Sequence, residues 1–308
     1  MVQLFIRKTI QIRKDKASIF KILHDFHQWP KWSPWLIADP KANIQIEADG
    51  KSYRWESPIL GSGEMKIINE EENQSIHYDL QFFKPWKSKA KVSFFLNYRD
   101  TDIEVVWTMQ SKLPFFMFWM KKKMEVFVGM DYERGLLLLK DYAEHGKSHC
   151  NLNFEGVIPF EETPYLGLYN KTSFTDFKNQ MAKDFSLLLP YTNEHYKDIV
   201  NGPIFSIYHK FDVLKNRVEY TLGVPIKYTI PFSQKEFYIG SFPKMKVHSI
   251  ELKGPFRHLP NAWAAHQMRI QNKKIKPSKK NPPFELYLNN PTDTPEEELR
   301  TKVLFPVH

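Results

Sequence analysis

The sequence contains a single cysteine, Cys150, among its 308 residues. One thiol cannot form an intramolecular disulfide, so a disulfide-rich secreted fold is excluded and a cytoplasmic location is predicted. The longest apolar run, at 113–120, is interrupted by Pro114 and ends at Lys121. It is far shorter than the ~20 residues that a membrane-spanning helix needs. Charges also interrupt every short apolar run in residues 1–16, so no signal peptide is predicted.

Sequence motifs for several common enzyme chemistries are missing as well. The chain has no P-loop, no dinucleotide fingerprint, no HExxH pair and no nucleophile elbow. His145, His149 and Cys150 lie close together, but their spacing matches no zinc pattern, so a mobile loop is expected there. The sequence therefore predicts neither a metal site nor a cofactor.

The net charge of +9 is spread along the chain. Residues 1–150 contain 23 Lys and Arg against 19 Asp and Glu, and the remainder contains 21 against 16, which gives +4 and +5. Binding to a phosphate backbone usually needs a concentrated basic patch, so no nucleic-acid partner is predicted. The 24 phenylalanines and 8 tryptophans instead favour packed cores and cavities lined by aromatic rings.

The first half of the chain has the pattern of a strand, a short helix, a sheet and a long helix. Residues 4–13 alternate apolar and polar side chains, as a β-strand does. Asp15 is placed to cap the helix that follows, where apolar residues recur at helical spacing. Residues 44–110 have the pattern of a strand meander, and 124–145 are mostly helix-forming. An antiparallel sheet followed by a long helix is therefore predicted.

Six short motifs stand out in residues 1–146: Trp29-Pro-Lys-Trp-Ser-Pro-Trp35, Asp39-Pro40, Tyr53-x-Trp55, Gly61-Ser-Gly63-x-Met65, Val106-Trp-Thr-Met109 and Asp131-Tyr-Glu-Arg-Gly-Leu136. Together they resemble bacterial SRPBCC proteins, the START-like and polyketide-cyclase-like superfamily. The resemblance implies a helix-grip fold, in which a curved sheet holds a long helix over an apolar cavity for hydrophobic ligands. It implies no particular activity. The rings predicted to line that cavity are Trp55, Phe82, Phe94 and Trp107.

The second half contains an internal repeat. Residues 203–208, Pro-Ile-Phe-Ser-Ile-Tyr, recur as Pro-Pro-Phe-Glu-Leu-Tyr at 282–287, an offset of 79 residues, and each copy runs into a second strand-like segment ending in proline. Two related units can pack about a pseudo-twofold axis, and the seam between them is a natural place for a concave site. One position there breaks the symmetry, since Ser206 in the first copy corresponds to Glu285 in the second.

Residues 152–308 resemble the GyrI-like domain, also called the AraC-type effector-binding domain. Its tandem repeat is expected to have the order β-α-β-β twice, and the tail from Phe284 to Val307 is the most specific part of the match. The resemblance implies a pocket for small, often aromatic or cationic compounds with an acidic residue near its centre. Glu285 is the position that matches. The predicted domains are thus 1–146, a linker at 147–151, and 152–308.

The predicted ligand-binding residues of this domain are Glu285, Trp263, Tyr208 and Tyr287. A carboxylate buried over the seam is costly alone, and a cationic ligand would remove that cost. Aromatic rings nearby would add cation–π contacts of ~1 kcal/mol each. The alternative for Glu285 is a surface carboxylate on a strand, paired with a lysine.

The predicted function is small-molecule binding for sensing, sequestration or detoxification of a hydrophobic or cationic compound. No helix-turn-helix pattern occurs in residues 1–110, so the chain is expected to lack a DNA-binding domain. One alternative is a hydrolase or cyclase with Glu285 as general base, and another is an interaction protein that masks a macromolecular target. The sequence predicts no oligomeric state.

The apolar segment 115–119 is followed by three lysines, Lys121 to Lys123. The favoured prediction is a cavity lid or the buried start of a helix with solvated lysines. Seating on an anionic membrane surface is the less favoured alternative, and no stable membrane insertion is expected.

Overall fold

The structure is a computed structural model that describes residues 1–232 and 234–308. Each of its two antiparallel sheets belongs to one compact unit, which confirms the predicted α+β fold class. The first unit consists of Met1–Asn151 and Arg257–Asn272, and the second of Leu152–Phe256 and Lys273–His308. Among the described residues, no helix is long and apolar enough to cross a membrane.

The sheet of the first unit has seven strands: β1 (Val2–Ile12), β2 (Asn43–Ile46), β3 (Ser52–Ser57), β4 (Gly61–Glu71), β5 (Ser75–Lys84), β6 (Ser88–Arg99) and β7 (Asp102–Leu113). Strands β2 to β7 follow one another as an antiparallel meander, and β1 pairs with β7. The meander predicted for residues 44–110 is confirmed. The alternation of residues 4–13 has the expected cause, since Leu4 and Ile6 are buried while Phe5 and Arg7 face outward.

Three helices accompany this sheet: α1 (Lys16–His24), α2 (Pro34–Ala38) and α3 (Lys121–His145). Asp15 begins α1 as predicted, because its Oδ1 accepts the backbone N–H of Ser18 at 2.8 Å. Helix α3 ends at Gly146, whose φ of 74° lies in the left-handed region. Glycine adopts this conformation without the strain that a residue with a side chain would have there.

A stack of three rings joins α3 to the sheet. The centroid of Trp107 lies 4.7 Å from that of Phe94 and 4.0 Å from that of Tyr132 on α3. Gly135 makes this approach possible, because a Cβ there would come 2.6 Å from the Trp107 ring. The helix therefore lies on the sheet face that carries Trp107 and Phe94.

The second unit contains an eight-stranded sheet and helix α4 (Phe177–His195). Its strands are β8 (Asn151–Phe160), β9 (Thr163–Thr172), β10 (Phe205–Asp212), β11 (Arg217–Pro225), β12 (Tyr238–Phe242), β13 (Met245–Lys253), β14 (Phe284–Tyr287) and β15 (Arg300–Val307). Their order in space is β12-β9-β11-β10-β14-β15-β13-β8. The two repeats meet at the centre of the sheet, where β10 pairs with β14.

Each repeat holds the predicted β-α-β-β order and one further strand, β9 in the first repeat and β12 in the second. Both added strands contain glycine, which weakens a strand pattern in sequence. The ring of Tyr165 packs over both glycines, since a Cβ on Gly167 or Gly240 would lie 3.0 Å or 2.4 Å from it. A tyrosine thus supplies the packing that the two glycines lack.

Helix α5 (Leu259–Gln271) belongs to the first unit by its contacts, and buried polar groups hold its start. Arg134 Nη1 donates to Asn261 Oδ1 at 2.7 Å. Asp141 Oδ2 lies 2.6 Å from His258 Nε2 and accepts Arg257 Nη2 at 3.1 Å. Burial opposes ionisation of Asp141, but its hydrogen bond with His258 and the charges of His258 and Arg257 leave its pKa below the ordinary value.

The 3₁₀ segment Phe115–Met120 differs from the favoured prediction. No residue in it is buried, so a buried helix start is wrong. Proline at position 114 prevents β7 from running directly into α3, and the short 3₁₀ segment that results presents its rings outward.

Replacing Asp141 by Asn should lower the free energy of unfolding by about 3 kcal/mol near pH 7, because it removes the carboxylate from a buried ion pair. The lowered pKa in the folded state means that this stabilisation is present above the unfolded value of ~3.9 and is lost as the pH falls further. Urea unfolding near pH 7 and near pH 3 should therefore show a smaller difference between variant and wild type in acid.

The matched control is Asp198→Asn, which changes an exposed carboxylate and should alter stability by less than about 0.5 kcal/mol. If Asp141→Asn cost no more than this control, Asp141 would not anchor the start of α5.

Candidate ligand site around Glu285

The pairing of β10 with β14 brings the two unlike repeat positions face to face. Ser206 is the direct antiparallel partner of Glu285, with Ile207 opposite Phe284 on the next position. The pairing continues symmetrically, because the backbone N–H of Tyr208 donates to Pro283 and that of Tyr287 donates to Ile204, each at 2.9 Å. The repeat seen in the sequence therefore forms the central strand pair.

The pleat separates this pair into an apolar face and a polar face. Phe205, Ile207 and Phe284 belong to a buried apolar cluster on one face. Alternation along the strands turns Ser206, Tyr208, Glu285 and Tyr287 to the other face. Ser206, Glu285 and the two tyrosines therefore lie on the same face of the sheet.

Glu285 is only 2% exposed, so the surface-strand alternative for this residue is wrong. Its Oε2 accepts the hydroxyls of Tyr208 and Tyr287, both at 2.8 Å. The Tyr287 hydroxyl also lies 3.0 Å from Ser206 Oγ. A phenol has one proton, so while Tyr287 donates to Glu285 its oxygen accepts the Ser206 hydroxyl.

Both tyrosines remain hydrogen-bond donors at neutral pH. Burial raises the pKa of Tyr208 and of Tyr287 well above the ordinary value, and the nearby charge of Glu285 raises each further. The carboxylate oxygen therefore faces two protonated phenols, whose dipoles stabilise its negative charge without cancelling it.

Further aromatic rings surround the two tyrosines. Phe177 lies 6.0 Å from Tyr208 between ring centroids. Phe185 and Phe256 lie 5.8 Å and 5.9 Å from Tyr287. Aromatic rings thus lie against both of the tyrosines that hold the carboxylate.

Sequence reasoning missed a second buried carboxylate on the same helix as Phe177 and Phe185. Asp184 on α4 is 1% exposed and accepts the Tyr220 hydroxyl, the side-chain amide of Asn170 at 3.1 Å and that of Gln180 at 2.9 Å. Asp184 lies among the apolar residues that recur at helical spacing along α4. An acidic residue at such a position is the feature of the sequence that indicates a buried carboxylate. With these donors Asp184 fixes α4 on the sheet.

The other predicted site residues lie in the first unit. Trp263 is half-buried on α5. Trp55 contacts Phe82 edge-on at 5.7 Å, while Phe94 and Trp107 belong to the ring stack on α3. Their role as ligand contacts stays a prediction.

A concavity of 610 Å³ lies on the opposite face of the first unit's sheet. Arg7, His77 and Thr108 are among its lining residues. Since Thr108 follows Trp107 in the strand, the pleat points it away from the ring stack. This concavity is therefore distinct from the apolar cavity predicted under α3.

The suggested metal residues do not form a described cluster. His145 and His149 place their ring centroids 5.4 Å apart, but no group of three potential ligands occurs in residues 1–232 and 234–308. Burial raises the pKa of the Cys150 thiol to about 12, so it is protonated near neutral pH.

Tyr208→Phe should lower the free energy of unfolding by about 1–2 kcal/mol, because it removes one O–H donor from a buried carboxylate. The raised folded pKa of Tyr208 gives stability that is present below the unfolded value of about 10 and is lost as the pH rises above it. The variant should therefore lose less stability than wild type between about pH 9 and pH 11 in urea unfolding. Tyr98→Phe, at a ring that is 76% exposed, is the control, and equal alkaline slopes in all three proteins would contradict the assignment.

Solved structures resemble parts of the chain. The Aha1 dimer from Colwellia psychrerythraea is 21% identical over 48% of this chain and 99% of its own, with a TM-score of 0.36. The EcmrR C-terminal domain is 15% identical over 52% of this chain and 98% of its own, with a TM-score of 0.42. EcmrR in its complex with DNA gives the same identity and TM-score over 62% of this chain and 69% of its own. Structural similarity at these identities and TM-scores does not identify a function.

A protein family accounts for the second half. No curated protein matches the chain. The family described as the GyrI-like small molecule binding domain matches residues 157–308, which contain the Glu285 seam and both repeats. The resemblance of the first half to SRPBCC proteins stays a prediction. The chain carries a GyrI-like small molecule binding domain at residues 157–308.

Proposed function

We propose that this domain binds a small hydrophobic cation at Glu285. The observation that carries the proposal is a nearly fully buried carboxylate whose Oε2 is held by two tyrosine hydroxyls, with aromatic rings around both tyrosines. These groups supply a negative charge and apolar contact in the same small volume. That combination suits a ligand with a positive charge on an apolar skeleton.

The charge of Glu285 favours a cationic ligand over a neutral one. Burying a carboxylate costs several kcal/mol unless opposite charge or hydrogen bonds compensate it. Two phenol donors supply hydrogen bonds that offset part of that cost. A bound cation would interact with this charge at low local dielectric, where the attraction is much larger than in water.

The rings favour a soft, delocalised or alkylated cation. A cation over an aromatic face gains roughly 0.5–2 kcal/mol, more when both partners are desolvated. Apolar groups attached to the cation would bury against Phe185 and Phe256, which adds about 25 cal/mol for each Å² removed from water. A small hydrated ion could use neither contribution.

Binding is favoured over catalysis by Glu285. A general base must accept a proton from its substrate, and Oε2 already accepts two hydroxyl protons in hydrogen bonds. That arrangement holds the negative charge of Oε2 in position, as the binding of a cation requires. We therefore prefer sensing, sequestration or detoxification of the compound to its hydrolysis or cyclisation.

We take the cellular setting to be the cytoplasm, where a lone buried thiol such as Cys150 stays reduced. The pattern of residues 1–110, a sheet with short helices, supports a role that needs no direct contact with DNA.

The test is a thermal-shift screen of wild type and Glu285→Gln against hydrophobic cations, with fatty acids and neutral polyketide-like aromatics as comparison ligands. A cation at 100 times its Kd should stabilise wild type by about 2.7 kcal/mol. Glu285→Gln keeps the size of the side chain and removes its charge, so the shift given by cations should disappear.

The matched control is Glu251→Gln, which alters another buried carboxylate of the same unit, 6% exposed and paired with Arg300 at 2.6 Å. This variant should melt lower but keep the response to cations. If Glu285→Gln responded as wild type does, or if both carboxylate variants lost the response equally, the site would not be centred on Glu285.

A further inference from the structure

Four large aromatic rings of the first unit are exposed side by side. Phe115 and Phe116 are each 74% exposed, Phe118 is 61% exposed and Trp119 is 67% exposed. These four residues are called the aromatic patch below. Phe115 and Phe118 contact each other at 6.2 Å between centroids while both still face solvent. Contiguous exposed apolar surface of this kind marks an interaction site.

A fifth exposed ring belongs to the same end of the sheet. Trp86, 69% exposed, lies at the tip of the hairpin between β5 and β6. Ala90 at the start of β6 pairs with Ser111 near the end of β7, so this hairpin tip and the segment after β7 leave the sheet at the same end. The aromatic patch follows directly from that end of β7.

The same end of the sheet is strongly basic. Residues 84–89 contain three lysines and residues 112–123 contain four, and neither segment contains an acidic residue. Two of these seven lysines form exposed ion pairs with described residues, Lys84 with Glu56 at 3.3 Å and Lys121 with Glu125 at 3.7 Å. Exposed pairs of this kind neutralise little of the local field.

We propose that this end of the first unit docks on the surface of an anionic phospholipid bilayer. Phenylalanine and tryptophan partition into the interface between headgroups and acyl chains, and lysines beside them are attracted by anionic headgroups. The aromatic patch provides the first contribution and the seven lysines provide the second. The contact with the bilayer is peripheral, because it uses side chains at one end of the sheet and no membrane-spanning segment.

Charge separates this partner from a second copy of the chain. A twofold dimer through the aromatic patch would bring the same surface of each copy together. Seven lysines would then face seven lysines across the contact, and like charges at close range oppose association. A negatively charged, laterally extended surface fits both the rings and the lysines.

The experiment is co-sedimentation of the full chain with sucrose-loaded vesicles, either phosphatidylcholine alone or with about 30% phosphatidylserine. Wild type should bind the anionic vesicles at least tenfold more tightly, and added salt should weaken that binding. Two variants test the two contributions: Phe118→Ala with Trp119→Ala, and Lys121→Glu with Lys122→Glu and Lys123→Glu. Each should reduce binding at least tenfold, and since none of these side chains is buried, both variants should melt as wild type does.

Matched controls lie at the opposite end of the same sheet. Tyr98 is 76% exposed and Lys16 lies over its ring at 4.3 Å, so Tyr98→Ala removes an exposed ring there and Lys14→Glu with Lys16→Glu reverses basic charges there. These controls should bind vesicles as wild type does. Equal binding to neutral and anionic vesicles, equal losses in the controls, or a dimer in light scattering that Phe118→Ala with Trp119→Ala abolishes would each overturn the proposal.

Discussion

The antiparallel pairing of β10 with β14 is the constraint on which the candidate ligand site depends. It joins the two repeats at the centre of the second unit's sheet and sets Ser206 opposite Glu285. A slip of one residue would turn Glu285 into the apolar cluster around Phe205 and Phe284 and separate it from both tyrosines. The hydrogen bonds to the carboxylate and the packing of the aromatic core are therefore fixed by the same register.

The sequence predicted most of this arrangement because its signals were local or repeated. Glu285 was identified as the one charged residue in the repeated segment, and the tyrosines beside it occupy equivalent positions of the repeat. Strands β9 and β12 were not predicted, and the ring of Tyr165 that covers their glycines is a contact that exists only in the folded sheet. Asp184 was missed because its donors come from different elements of the chain.

Charge illustrates a different limit of sequence reasoning. Counting by halves gives an even excess of +4 and +5, and that evenness argued against a concentrated basic surface. The sheet of the first unit brings 84–89 and 112–123 to one end, although 22 residues, 90–111, separate them in the chain. Net charge summed along the chain does not detect such a cluster, because antiparallel pairing brings together lysines that are distant in the sequence.

The second unit also exchanges its outer strands. Strand β8 of the first repeat lies beside β13 of the second, and β12 of the second lies beside β9 of the first. Neither repeat therefore completes its own half of the sheet, and a single repeat on its own would leave an open edge where the other's strand belongs. Each half of the sheet contains three strands from one repeat and one strand from the other. A cut in the chain between β11 and β12 would therefore separate hydrogen-bonded neighbours at three places, β12 with β9, β10 with β14 and β13 with β8.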